Sequence, residues 1–138
     1  MRLWSDFSIT RHTQTQAERK AAQNRASVYL YQFNWHTPVL GGKLKSLHTL
    51  VNPFIWNDID GSKALTGGGD EAKALARQMS EAWVTFAATG KPNSARSGLP
   101  EWKAYDSKAR ATMVLNNKSE LIADPYREQR EALNKTAG

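Results

Sequence analysis

The run Val28-Tyr29-Leu30-Tyr31-Gln32-Phe33-Asn34-Trp35 carries bulky apolar groups at both parities of an extended chain. Side chains alternate along a strand, so Val28 and Leu30 face one side and Tyr29, Tyr31, Phe33 and Trp35 the other. Strands of that kind belong in sheets covered on both faces, the habit of parallel α/β sheets. The segment therefore predicts a buried strand with both faces covered.

The rest of the chain supplies elements to surround it. Residues 10–26 are polar and alanine-rich without Pro or Gly, which predicts a helix with a thin apolar face that needs tertiary support. Pro38 and the Gly41-Gly42 pair end the extended run and open a long loop. From Asp70 the spacing becomes helical, with Ala72, Leu75, Ala76, Met79, Trp83, Phe86 and Ala87 on one face. Asp70 is the expected N-cap and Gly90 the expected C-terminal stop of that helix. Short strands are expected at 112–115 and near Leu121-Ile122, then a short helix from Asp124-Pro125 to Arg130. No internal repeat or interdomain linker is visible.

Four blocks, in order, carry a resemblance. They are the strand 28–35; the loop from Gly41 through His48 to Asn52-Pro53-Phe54-Ile55-Trp56; the helix end Ala82-Trp83 to Phe86-Ala87, closing with Gly90, Pro92 and Asn93; and Leu99-Pro100-Glu101-Trp102 followed by Ala111 to Leu115. Together, from about Phe7 to Arg130, they resemble the type B carboxylesterase family, of the para-nitrobenzyl esterase-like kind. The resemblance implies that residues 1–138 are the C-terminal fragment of an α/β-hydrolase fold, an incomplete domain. Its expected parts are one long buried strand, a catalytic-histidine loop, a long amphipathic helix and short C-terminal strands.

It also implies serine esterase chemistry. A serine oxygen attacks an ester carbonyl, a histidine takes its proton and returns it to the leaving alcohol, and a carboxylate fixes the histidine tautomer. His48 matches the catalytic histidine by position. Triads of this fold run nucleophile, acid, histidine, so the other two members are expected upstream of this chain. No Gly-x-Ser-x-Gly elbow occurs in it, and Ser46, close to His48, lies in no strand-to-helix turn pattern. The oxyanion donors are expected upstream as well. Val51 stands where the family commonly has an acidic residue, and Asn52 where it has an aliphatic one, which removes a supporting partner of the histidine.

Other chemistries fare worse. The net charge of +6 is spread along the chain rather than gathered in a patch, so it reads as solvated surface and not as a nucleic-acid footprint. Gly67-Gly68-Gly69 is followed by Asp70-Glu71 instead of the Lys-Ser/Thr of a phosphate loop, and His12, His36 and His48 lack metal-ligand spacing. No cofactor is implied, and with no cysteine no disulfide or thiolate site is available. No apolar run reaches membrane-spanning length, and residues 1–6 lack a signal-peptide pattern.

Three functions are consistent with these observations. The first is the C-terminal segment of a serine carboxylesterase, inactive alone, whose family substrate is a small-molecule ester. The second is half of a split esterase that completes its triad in trans with an N-terminal esterase portion. The third is a reused binding module whose positive charge attracts an acidic partner. The isolated chain is expected to associate or melt with weak cooperativity, because its aromatic strand leaves open edges.

Overall fold

The computed structural model describes residues 9–125 and 127–136. The elements are α1 (Arg11–Ala22), β1 (Leu30–Phe33), a 3-10 turn (Val39–Gly42), two short helices α2 (Asn52–Ile55) and α3 (Lys63–Thr66), the long helix α4 (Asp70–Thr89), β2 (Ala111–Leu115), β3 (Glu120–Ala123) and α5 (Arg127–Thr136). The strands form one sheet in the order β1-β2-β3. Phe7, at the start of the resemblance, lies outside the described residues.

The chain divides into two compact units. The first takes residues 1–30, 103–112 and 122–138, and the second residues 31–102 and 113–121. The second contains His48.

In the first unit α1 is shorter than the predicted 10–26. The amides of Gln23 and Asn24 donate to the carbonyls of Lys20 and Ala21, and Asn24 then turns left-handed at φ 50°. Asparagine tolerates that conformation better than most residues. Arg19 and Lys20 lie in the last turn, where positive charge complements the helix dipole. Ala17 is the buried residue of α1, consistent with its thin apolar face. The Val28 carbonyl accepts from the Tyr105 amide at 2.7 Å, so the residues before β1 are tied into this unit.

In the second unit α4 runs from Asp70 to Thr89, as the periodicity requires. It buries Ala72, Leu75, Ala76, Met79 and Ala82, the i, i+3, i+4 stripe of an amphipathic helix. Gly90 closes it in the left-handed conformation at φ 75°. Two details differ from expectation. Gly69, extended, is the N-cap, and Asp70 is already helical with no side-chain cap bond, although its charge still favours the N-terminus. The apolar stripe also fades toward the C-terminus: Phe86 is 44% exposed and Ala87 is exposed.

The predicted long buried strand is a correction. Only Leu30 to Phe33 is β-structure, and its residues are half-buried or exposed, with Tyr31 at 36%. The tyrosine ring instead packs edge-on to Trp83 and Trp102, with centroids 5.0 and 6.4 Å away. Trp35 is buried beyond the strand, against Phe54 at 4.8 Å. The fully buried strand is β2, all five of whose residues are buried. The last helix starts at Arg127, later than the sequence suggested, and runs to Thr136.

Candidate active site

His48 stands on a turn closed by the Leu50 amide donating to the Leu47 carbonyl at 3.2 Å. The next turn follows at once, the Asn52 amide donating to the Thr49 carbonyl at 3.0 Å. Then α2 begins with Pro53 in its first turn, a position where a missing N–H costs nothing. Leu50 and Phe54 have no exposed surface, and Phe54 lies against Phe33 at 5.0 Å and Trp35 at 4.8 Å. α2 also packs on α4. The histidine is thus mounted on a loop anchored two and six residues downstream in the core of its unit, while its own side chain is exposed.

Among the described residues nothing hydrogen-bonds or ion-pairs with the His48 imidazole. Four carboxylates of the unit are engaged elsewhere. Asp58 accepts from the Gly61 amide at 3.2 Å, Asp60 pairs with Lys73 at 2.8 Å, and Glu71 accepts from the Asn117 amide group at 2.7 Å. Glu81 accepts from Ser94 at 2.8 Å and Arg96 at 3.2 Å. The Ser94 hydrogen bond and the Arg96 charge hold the Glu81 carboxyl below its ordinary range. Ser46, two residues before the histidine, donates its hydroxyl to the Phe33 carbonyl at 3.3 Å. It therefore ties the loop to β1 and forms no hydrogen bond with the imidazole. Val51 lends its carbonyl to the Phe54 and Ile55 amides, both at 3.1 Å, and so starts α2.

The sequence did not reveal how the loop is shaped. Leu40, Lys45, Thr49 and Asn57 all have positive φ, between 50° and 70°, and Gly41 and Gly42 share that region. Such conformations suit Gly and Asn, and only the glycines and Asn57 advertised them. The Gly67-Gly68-Gly69 run is a helix stop, with Gly67 at φ 75° capping α3.

The first unit holds a second feature. An open cavity of about 780 Å³ lies beside the C-terminal end of α1 and is lined by Glu18, Arg25, Tyr105, Asp106 and Arg110 among others. Glu18 pairs with Arg110, whose guanidinium also donates to the Tyr105 hydroxyl at 2.9 Å. Burial raises the Tyr105 phenol, against the nearby Arg110 charge. Asp106 is held ionised by the Ala109 and Lys108 amides. Two cations and two anions line this space, so it selects no sign of ligand.

The mixed α/β architecture, with its small sheet, is similar to part of the α/β-hydrolase fold of solved esterases. A PNB esterase matches with a TM-score of 0.71 at 32% identity, over 82% of this chain and 23% of that one. The carboxylesterase of Geobacillus stearothermophilus matches with a TM-score of 0.70 at 36% identity, over 84% and 24%. Among curated proteins, the para-nitrobenzyl esterase of Bacillus subtilis (strain 168) is 32% identical over 124 residues, which is 88% of this chain and 24% of that enzyme. The profile of the carboxylesterase family spans residues 1–134, and the chain belongs to that family. It spans about a quarter of the length of this curated relative.

Proposed function

We propose that this chain is the histidine-bearing C-terminal portion of a serine carboxylesterase, an incomplete α/β-hydrolase domain that is inactive alone. The supporting observation is the state of His48: exposed on a core-anchored turn, with no carboxylate or hydroxyl of the described residues hydrogen-bonded to it. In the complete enzyme a serine from the remaining portion attacks the ester carbonyl. His48 takes the serine proton and returns it to the departing alcohol, then activates the water that releases the acid. A carboxylate from the same portion holds the imidazole tautomer, and backbone amides there stabilise the oxyanion. The substrate is a small-molecule carboxylic ester, whose acyl and alcohol pockets lie largely outside these residues.

A second reading, half of a split esterase assembled in trans, is favoured by the exposed apolar side chains of the His48 unit, Leu40 at 68% and Trp56 at 78%. One experiment serves both. The chain is fused to, or separately co-expressed with, the part of the Bacillus subtilis para-nitrobenzyl esterase that lies outside the matched 124 residues. Turnover of 4-nitrophenyl acetate that disappears with His48→Ala is the expected outcome. Activity only in the fusion supports the single-chain form, and activity in both supports assembly in trans. Turnover indifferent to His48→Ala would overturn the assignment.

A further inference from the structure

Thr49 occupies the third position of the Leu47–Leu50 turn with φ 70°. A turn with positive φ there ordinarily takes Gly or Asn, and for a β-branched residue that conformation is a steric outlier. Its surroundings leave it no escape. The Leu50 amide is bonded to the Leu47 carbonyl, and the Thr49 carbonyl accepts from the Asn52 amide. Leu50 has no exposed surface, so the turn cannot relax without drawing a leucine out of the core. Meanwhile the Thr49 side chain is exposed, and among the described residues its hydroxyl forms no hydrogen bond. Nothing in the packing of this unit asks for threonine where glycine would be relaxed.

Strained residues that persist because their surroundings over-determine them concentrate at functional sites. We infer that Thr49 is a positioning residue for His48. The crowded left-handed backbone denies the peptide between the two residues the alternative orientations that glycine would allow. The imidazole therefore leaves the turn in one direction. This rests on the reading of His48 as the triad base.

The test is Thr49→Gly, with Thr49→Asn as the conservative variant that tolerates the same backbone. Of the five tryptophans, Trp35, Trp56, Trp83 and Trp102 lie in the His48 unit, so tryptophan fluorescence follows its melting. The glycine variant should melt about 3 °C higher as strain is relieved. The heteronuclear NOE of the His48 amide should fall in the same chain. In the fused esterase, kcat should drop roughly ten-fold at unchanged KM, with the asparagine variant retaining most of the turnover. A purely structural residue would not raise stability while lowering turnover. A lower melting midpoint or an unchanged His48 NOE in the glycine variant overturns the proposal. A fused enzyme that needs His48 but ignores Thr49→Gly overturns the positioning role alone, whereas one that ignores His48→Ala overturns the base assignment beneath it.

Discussion

The Leu50 amide donates to the Leu47 carbonyl at 3.2 Å, and the turn so closed sends Leu50 into the core and His48 into solvent. The two residues, two apart in sequence, should answer differently to truncation. Leu50→Ala removes a fully buried side chain and should cost roughly 2–5 kcal/mol, read as an earlier loss of tryptophan fluorescence in urea. His48→Ala should stay within about 0.5 kcal/mol of the parent chain, as surface substitutions do. Equal losses from both would show that the turn is not mounted as described.

Activity gives the second prediction. The purified chain alone should hydrolyse 4-nitrophenyl acetate no faster than its His48→Ala variant. The physical reason is the missing Gly-x-Ser-x-Gly elbow together with the absence, among the described residues, of any hydrogen bond or ion pair to the imidazole. A positioned base without a nucleophile and oxyanion donors supplies little of the barrier lowering that hydrolases achieve. A clear difference between the two proteins would mean that this chain holds a catalytic site of its own.

What the sequence disclosed follows from how local each signal is. α4 was legible because twenty residues of 3.6-periodicity and a terminal glycine act within one helix. β2 and β3 were legible to within a residue or two. The strand 28–35 was overread: its composition reports what the segment can bury, and only Leu30–Phe33 is paired as strand. Trp35 is buried all the same, through Phe54, a residue nineteen positions away that strand alternation cannot reveal. The helices α2 and α3, of four residues each, are too short to show a period. At the site, the position of His48 came from the family resemblance. The left-handed backbone at Thr49 was invisible because threonine gives no sign of it.

Asn93 follows the Gly90 helix stop, and its side-chain amide clamps the backbone of Trp102. The Trp102 amide donates to Asn93 Oδ1 at 2.7 Å and Asn93 Nδ2 donates to the Trp102 carbonyl at 2.9 Å. Trp102 is itself buried and packs on Trp83 with ring centroids 5.8 Å apart. Asn93→Ala breaks both bonds and should cost about 2 kcal/mol. Asn93→Asp keeps the acceptor but loses the donor, and should fall between parent and alanine in the same denaturation series.

Acid unfolding should run through Asp124. Its side chain is 4% exposed and accepts from Arg130 at 2.7 Å and Arg127 at 3.1 Å. Burial works to raise its pKa, but the Arg130 hydrogen bond and charge, with Arg127 and Arg110, outweigh it, and the carboxyl lies below its ordinary value. A depressed carboxyl stabilises the fold fully above the unfolded value, near 3.9, and that contribution is lost as pH falls through the folded value. The far-UV helical signal should therefore survive to below about pH 4 and then decline. Asp124→Asn should be less stable at pH 7 by roughly 2 kcal/mol and should lose less on acidification. An identical acid profile in both would remove Asp124 from the account.

Association is the final expectation, and salt should decide its nature. Among the described residues β1 and β3 form the two edges of a three-stranded sheet, and sheet edges invite pairing with another chain. The unit that holds His48 also exposes Leu40 at 68%, Trp56 at 78% and Val84 at 64%. Against these attractions stands a net charge of +6 on every copy, whose repulsion is screened as ionic strength rises. Sedimentation velocity should therefore show species heavier than the 15.4 kDa chain that increase between about 0.05 and 0.5 M salt, where the screening length shortens several-fold. Trp56→Lys, which replaces an exposed ring with one more positive charge, should shift the distribution toward monomer without moving the melting midpoint. Association that weakens with salt would point instead to charge pairing, and a monomer at every ionic strength would mean that the sheet edges are not available for pairing.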